Sequence, residues 1–312
     1  YNITRKTDSF IPLPLDTIGV GITYNLLEFD VAFKQKIFTE ALDLELRYAH
    51  SRYTASLGSF FLPEANVLVQ ATDVLYLVGN DLSATFSFDG TAPSRTQEIN
   101  PVGRKLRLRY DREFNKFNPT DTVNARGELV HLYERPSFHK IEASWKEGRR
   151  LPWGGKHTLT ATLRGGSILG PAVDDFFDFY IGGLAGMKGY PFYSMGGNEY
   201  ASANLTYRFP VVENIDLRVA QLYFDKLYAA VYGDVGAAWT EGGLTGRKYK
   251  RDIGGEIRLE ASSYYSYPTR IFFNATYGLD RFDRFIESRN ETVTYGKEWN
   301  FHFGILFGFD FD

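Results

Sequence analysis

Two-residue alternation of apolar and polar side chains recurs from one end of this chain to the other, and few folds accommodate it. Leu42, Leu44, Leu46 and Tyr48 interleave with Asp43, Glu45 and Arg47, and Leu106, Leu108 and Tyr110 with Lys105, Arg107, Arg109 and Asp111. Ala201, Ala203, Leu205, Tyr207 and Phe209 interleave with Ser202, Asn204, Thr206 and Arg208. Ile257, Leu259 and Ala261 interleave with Glu256, Arg258, Glu260 and Ser262. Successive side chains on a strand point to opposite faces, so each segment gathers its apolar set on one side. Similar segments lie around Ile18 to Leu26, Leu82 to Phe88, Ile141 to Trp145, Leu159 to Leu163 and Ile271 to Leu279. About fifteen such segments are countable, and bacterial single-chain barrels have even strand numbers, which predicts about sixteen strands.

Alternation alone also fits a soluble sandwich, in which one face packs a core. Two features favour a membrane barrel. The apolar face carries many Tyr, Phe and Trp near segment ends, as an aromatic girdle would. The polar face is charged with both signs, which suits a lumen laced with ion pairs. With 26 Phe and 21 Tyr the chain is rich in aromatics, yet its mean hydropathy is that of a water-soluble protein. A polar lumen on half of every strand reconciles the two. No apolar run reaches the roughly 18 residues of a membrane helix. The expected fold is therefore an all-β, transmembrane antiparallel β-barrel over residues 17–312, preceded by an extended lead-in at 1–16 that contains Pro12 and Pro14.

The sequence proposes no chemistry. Cysteine is absent, which excludes disulfides and thiolate metal sites. His50, His131, His139, His157 and His302 are scattered without metal-ligand spacing. No G-x-S-x-G, H-E-x-x-H or P-loop pattern occurs. The expectation is no enzyme, no cofactor and no metal. Net charge is -3, so nucleic acid is not an expected partner. Asp174, Asp175 and Asp178 form an acidic cluster read as a solvated rim, with a divalent cation near lipopolysaccharide as the alternative.

The stretch from Asp175 to Trp239 is the most specific. Met187-Lys188-Gly189-Tyr190 lies in a Gly-rich loop after an aromatic segment. GGN follows, then a strand ending Tyr207-Arg208-Phe209-Pro210, then one carrying Gly233-Asp234-Val235-Gly236. That order resembles the BamA/TamA-type outer-membrane assembly and secretion barrels, whose signature loop reads V/L-R-G-F/Y. Arg258 and Tyr277-Gly278-Leu279-Asp280-Arg281 match later strands of that family, and the likeness covers Asp175 to the C-terminus. It implies an inward-folded loop with Lys188, Gly189 and Tyr190 in the lumen and Lys188 latched to Asp234. Strand phase agrees, sending Tyr228, Tyr232 and Asp234 inward and Leu227, Val231, Val235 and Trp239 outward. Lys in place of Arg loses the planar bidentate contact, so a weaker latch is expected.

Near the C-terminus His302, Gly304, Phe307 and Phe309 match the barrel-assembly signal of outer-membrane proteins, although Asp310-Phe311-Asp312 follow where that signal usually ends. Phe301 to Phe311 is expected to pair with the first strand near Thr17 to Leu27, with Ile18, Val20, Ile22 and Tyr24 facing lipid. The resemblance implies a bacterial outer-membrane location and work in inserting or translocating proteins there. Its partners would be outer-membrane lipids and lipopolysaccharide, client or partner outer-membrane proteins, and periplasmic modules outside this chain. The alternative is a structural barrel subunit, or the membrane anchor of a larger complex, without insertase activity.

Overall fold

The computed structural model describes residues 2–8, 22–57, 59–62, 67–69, 72–91, 102–126, 128–153, 156–240, 248–264, 267–286 and 291–307. Twelve strands follow one another in a single antiparallel path: β1 (Asn2–Asp8), β2 (Ile22–Lys36), β3 (Leu42–Leu57), β4 (Thr72–Asp89), β5 (Gly103–Val123), β6 (Ser137–Arg150), β7 (Thr158–Leu169), β8 (Glu199–Val212), β9 (Leu222–Trp239), β10 (Lys250–Ser263), β11 (Tyr267–Gly278) and β12 (Trp299–Phe307). Every pairing joins neighbours in this order. Two short strands, Leu129–Glu134 and Leu217–Val219, ladder onto β5 and β9. Three two-stranded pieces lie outside this sheet, among them the hairpin Phe282–Ile286 with Glu291–Tyr295. With Leu129–Glu134 and Leu217–Val219, the described residues form one fourteen-stranded antiparallel sheet, in keeping with the all-β fold of about sixteen strands that the alternation predicts.

The alternation has the expected meaning. On β10, Ile253 and Ile257 are exposed on the outer face, while Asp252 and Glu256 are buried on the inner one. Leu205, Val231, Phe273, Phe301, Phe303 and Ile305 continue the exposed apolar surface. Inside, Arg47 meets Glu28 at 2.9 Å and Asp30 at 3.1 Å, and Arg109 meets Asp111 at 2.7 Å. Aromatic rings mark both ends: Trp299 opens β12 at one and Tyr267 opens β11 at the other, both exposed. Phe303 is 69% exposed and Phe33 63%, values that a water-facing surface of this extent would not tolerate. Laddered strands with apolar residues outside and ion pairs inside are how a chain crosses the bacterial outer membrane, and this chain is built that way.

The two ends of the path correct the expected seam. Asn2–Asp8, part of the lead-in, is itself a strand, paired with β2 from Asn2↔Glu28 to Asp8↔Ile22. It occupies the edge of β2 that was expected to meet the C-terminal strand. Among the described residues no ladder joins β12 to β1 or β2. The lipid-facing phase of β2 is also the opposite of that expected. Leu27, Phe29, Val31 and Phe33 are exposed, while Glu28 and Asp30 on the even phase reach Arg47. The side chains of Ile22 and Tyr24 lie outside those described. Residues 9–21 and 308–312, which include Thr17, Ile18, Val20, Phe309 and Phe311, lie outside the described residues.

The lumen plug as candidate functional site

The segment between β7 and β8 folds back on itself inside the sheet. It begins with a one-turn 3-10 helix, Asp175–Phe177, whose N-terminus is capped by Asp174 accepting from the Phe176 N–H at 2.9 Å. Capping answers an orphan donor at the helix start. The acidic cluster thus serves in part as a cap, and among the described residues no group of His, Asp or Glu is arranged to hold a metal. Asp178 carries a carboxyl pushed up to about 6, first by burial and then by the charge of Asp175. Phe177 is buried against Leu77, Phe117, Phe138 and Ile168. Its ring lies 5.1 Å from both Phe117 and Phe138, edge-on. Burying one such ring contributes about 1.5–3 kcal/mol, so this cluster anchors the loop to β4, β5 and β6.

Further along, Phe179–Tyr180 pairs with Gly196–Gly197, and the chain between them turns tightly. The Gly183 N–H donates to the Tyr190 carbonyl at 2.8 Å, and the Met187 N–H to the Ile181 carbonyl at 2.7 Å. Ile181, Met187, Tyr190 and Met195 form the loop's own small core.

Met187 to Tyr190 then fasten to the opposite wall. The Gly189 N–H donates to Asp252 Oδ2 at 2.9 Å, and Asn300 Nδ2 donates to the Gly189 carbonyl at 2.9 Å. The Tyr190 hydroxyl shares its proton between the carbonyls of Arg251 at 2.8 Å and Asp280 at 3.1 Å, and accepts from the Asp280 N–H at 3.1 Å. Burial raises the Tyr190 phenol above its usual range, keeping it a neutral donor. Both Gly189 and Tyr190 are buried. A Cβ on Gly189 would stand 2.5 Å from the Cβ of Asp252, so glycine is what lets the loop backbone approach β10 this closely.

Lys188 lies inside the sheet, but its latch is not the one expected. Among the described residues no carboxylate pairs with its ammonium; Nζ sits instead 4.3 Å from the centroid of the Tyr232 ring, a cation–π contact. Asp234 is buried on the inward phase, as its register predicts, and Oδ1 accepts from Asn204 Nδ2 at 2.5 Å. Asp234 and Asp252 stand directly opposite across the β9–β10 ladder. The loop thus engages the partner of the predicted aspartate, through a backbone amide rather than a lysine. The sequence did not point to Asp252 or Asn300, and it marked Asp280 as part of a strand motif rather than as a partner of the loop. Asp252 was within reach, as an inward-phase acid two residues before Gly254.

The expected residues of the C-terminal signal that are described lie on β12. Gly304 makes room for the buried Phe272, whose ring atoms a Cβ there would meet at 2.7 Å. His302 lies on the inner face, with Nδ1 buried and no hydrogen-bond partner for it among the described residues. Phe307 ends β12, opposite Thr269. Trp239 is buried rather than lipid-facing, and its indole N–H donates to Glu199 Oε2 at 2.6 Å.

Beneath the plug, a cavity of about 420 Å³ is roofed by Leu184 to Lys188 and walled by β5 to β12. Glu256 binds two guanidiniums there, Arg208 at 3.0 Å and Arg258 at 3.1 Å, and Arg270 reaches Glu260 at 3.3 Å.

No protein-family model matches the chain, and no curated protein matches it. Among solved structures it is similar to the β domain of the Bordetella autotransporter BrkA, with 11% identity over 98% of this chain and 97% of that one, at a TM-score of 0.33. A likeness of that degree decides nothing about function.

Proposed function

We propose that this barrel acts in the insertion or translocation of proteins at the bacterial outer membrane, as its resemblance to BamA/TamA-type barrels implies. The observation that carries the reading is the Lys188-Gly189-Tyr190 segment, drawn into the lumen and fastened to β10, the loop after β11, and β12. A barrel with its lumen closed in this way is poorly suited to passive diffusion. The apolar exterior and the short β1 strand suit a protein whose working surface is its edge, where a client strand finds unpaired backbone groups. The substrates on this reading are unfolded outer-membrane polypeptides, and lipid is the medium rather than the cargo.

A reconstitution assay tests it. Vesicles containing the folded chain should speed the folding of a small client barrel, followed by its heat-modifiable electrophoretic mobility, relative to empty vesicles. Gly189→Val should reduce that gain while leaving the chain folded. Equal client folding with and without the chain would reject an insertase role and favour the structural or anchoring barrel.

A further inference from the structure

The outer face of β3 to β6 changes character part-way along the strands. On β5 the outward residues Leu106, Leu108 and Tyr110 lie between Arg104 and Arg112. At about 3.3 Å per residue and a tilt of about 40°, the strand rises roughly 20 Å between those two arginines, close to the height of a membrane barrel's apolar band. The register brings further basic groups to the upper border. They are His50 and Arg52 of β3, Lys116 of β5, and His139 of β6, which stands directly opposite Arg112. The outward positions from Tyr48 to Arg52, Leu82 to Val78, Tyr110 to Lys116 and Ile141 to Ser137 include no acidic residue. This border lies at the end of the long connections, 170–198 and 279–298, whereas the opposite end has the short ones, 37–41, 151–157 and 264–266. Outer-membrane barrels carry their longer loops outside the cell, so the border meets the outer leaflet.

The cations are held differently on the two faces. Inside, Lys140 meets Glu113 at 3.3 Å. Outside, the Arg112 guanidinium lies 4.9 Å from the centroid of the Phe114 ring and donates to His139 Nε2. His139 Nδ1 in turn meets the Tyr110 hydroxyl at 2.5 Å. The Lys116 ammonium lies 4.1 Å from the centroid of the Tyr133 ring. Contacts with rings orient a cation without cancelling its charge. We propose that this border binds the phosphate groups of an outer-leaflet glycolipid of the bisphosphorylated lipid A class, through Arg52, Arg112 and Lys116. Guanidinium and ammonium groups recognise phosphate oxygens through charge-assisted hydrogen bonds. The acyl chains of the same lipid lie against the exposed Leu82, Leu108 and Ile141 below. Charge above and apolar surface below, on the same four strands, match one amphipathic ligand rather than a free anion. The inference concerns the lipid around the barrel and is independent of the chain's role toward other proteins.

The test is native mass spectrometry of the full chain, folded in zwitterionic detergent and titrated with diphosphoryl lipid A. A saturable lipid-bound species is expected. Dephosphorylated lipid A and phosphatidylglycerol should each bind at least about tenfold more weakly, because the basic residues act on the two phosphates. The Arg52→Gln, Arg112→Gln, Lys116→Gln triple variant should lose at least about tenfold in affinity for lipid A, and Arg149→Gln, at the opposite end of β6, should lose none. Heat-modifiable electrophoretic mobility identifies the folded variants. An unchanged affinity in the folded triple variant would overturn the proposal. In the wild-type chain, equal binding of phosphorylated and dephosphorylated lipid A would overturn it without any variant, since the acyl chains alone would then account for retention. Phosphatidylglycerol bound as tightly as lipid A would overturn the assignment to a bisphosphorylated lipid.

Discussion

Gly189 and Tyr190 concentrate the plug's attachment in two adjacent residues, and each predicts a distinct loss. At Gly189 an added methyl meets the Cβ of Asp252, which cannot swing aside as a side-chain tip would. Gly189→Ala should cost about 1–3 kcal/mol by overpacking, read as a lower urea midpoint and faster proteolysis of the loop. Tyr190→Phe keeps the ring in its cluster but removes the hydroxyl that serves the Asp280 carbonyl and amide, while the Arg251 carbonyl keeps the Leu279 N–H at 2.9 Å. A loss of about 1–3 kcal/mol is expected for such unsatisfied groups. In the lumen wall, Glu256→Gln would leave Arg208 and Arg258 facing each other, and breaking a buried pair of this kind costs about 3–5 kcal/mol. Urea unfolding of each variant in the same detergent checks all three, and a Glu256→Gln chain as stable as wild type would show that the arginines find other partners. The sequence made only part of this visible. Lys188, Gly189, Tyr190 and Asp234 were singled out, and all four lie on the inner side. The partner that holds the loop was not, because which inward acid the loop meets depends on how far it descends. That depth is set by the Phe177 cluster on the far wall.

The plug as an element has a pH response of its own. The Asp178 carboxyl is pushed up to about 6 by burial and by Asp175, with Arg284 opposing. Between the unfolded value near 4 and this raised value, the docked loop holds a proton that the undocked loop has lost. Docking is therefore strongest at acid pH, weakens as pH rises from about 4 to about 6, and stays at the weaker level above. Hydrogen exchange in Asp175–Phe177, corrected for intrinsic rates, should show protection falling over that interval. Asp178→Asn should flatten the profile, and an unchanged profile in that variant would assign the response elsewhere. The strands themselves were readable from alternation, with one instructive exception. In β2 the adjacent Leu26 and Leu27 make both phases apolar at the junction, so a reader who begins at Ile22 follows the wrong face. Register with β3 is continuous from Ile22↔Leu57 to Lys36↔Asp43, and the outward set is the one containing Phe29, Val31 and Phe33.

At the scale of the whole molecule, the outer face answers to lipid and the inner face to charge, and substitutions should divide along that line. Ile257 lies near the middle of β10 with its side chain exposed on the outer face. Ile257→Arg should cost about 2–4 kcal/mol if that position lies near the bilayer midplane, whereas Thr162→Arg, facing the cavity, should change stability far less. Equal costs in vesicles, measured by reversible unfolding, would refute the assignment of faces. Strand number was legible to within the short pieces: one sheet of fourteen strands, with three two-stranded pieces beside it, against about sixteen expected. Phe282–Ile286 breaks strict alternation, with Asp283 next to Arg284 and Phe285 next to Ile286, and it pairs with Glu291–Tyr295 in a hairpin outside the path.

The plug precedes in the chain every residue that its Gly189 and Tyr190 engage across the lumen: Arg251, Asp252, Asp280 and Asn300. Those contacts span from 61 to 111 residues of sequence. Their formation must wait until the last three strands are in place, since a loop closed over so long a separation gains nothing before its far end arrives. During assembly the lumen therefore remains open while the wall is being laid, and is sealed only by completion of the C-terminal strand. A chain cut short after β11 would lack the Asn300 tether, and its plug would report the missing strand as a loop left unfastened.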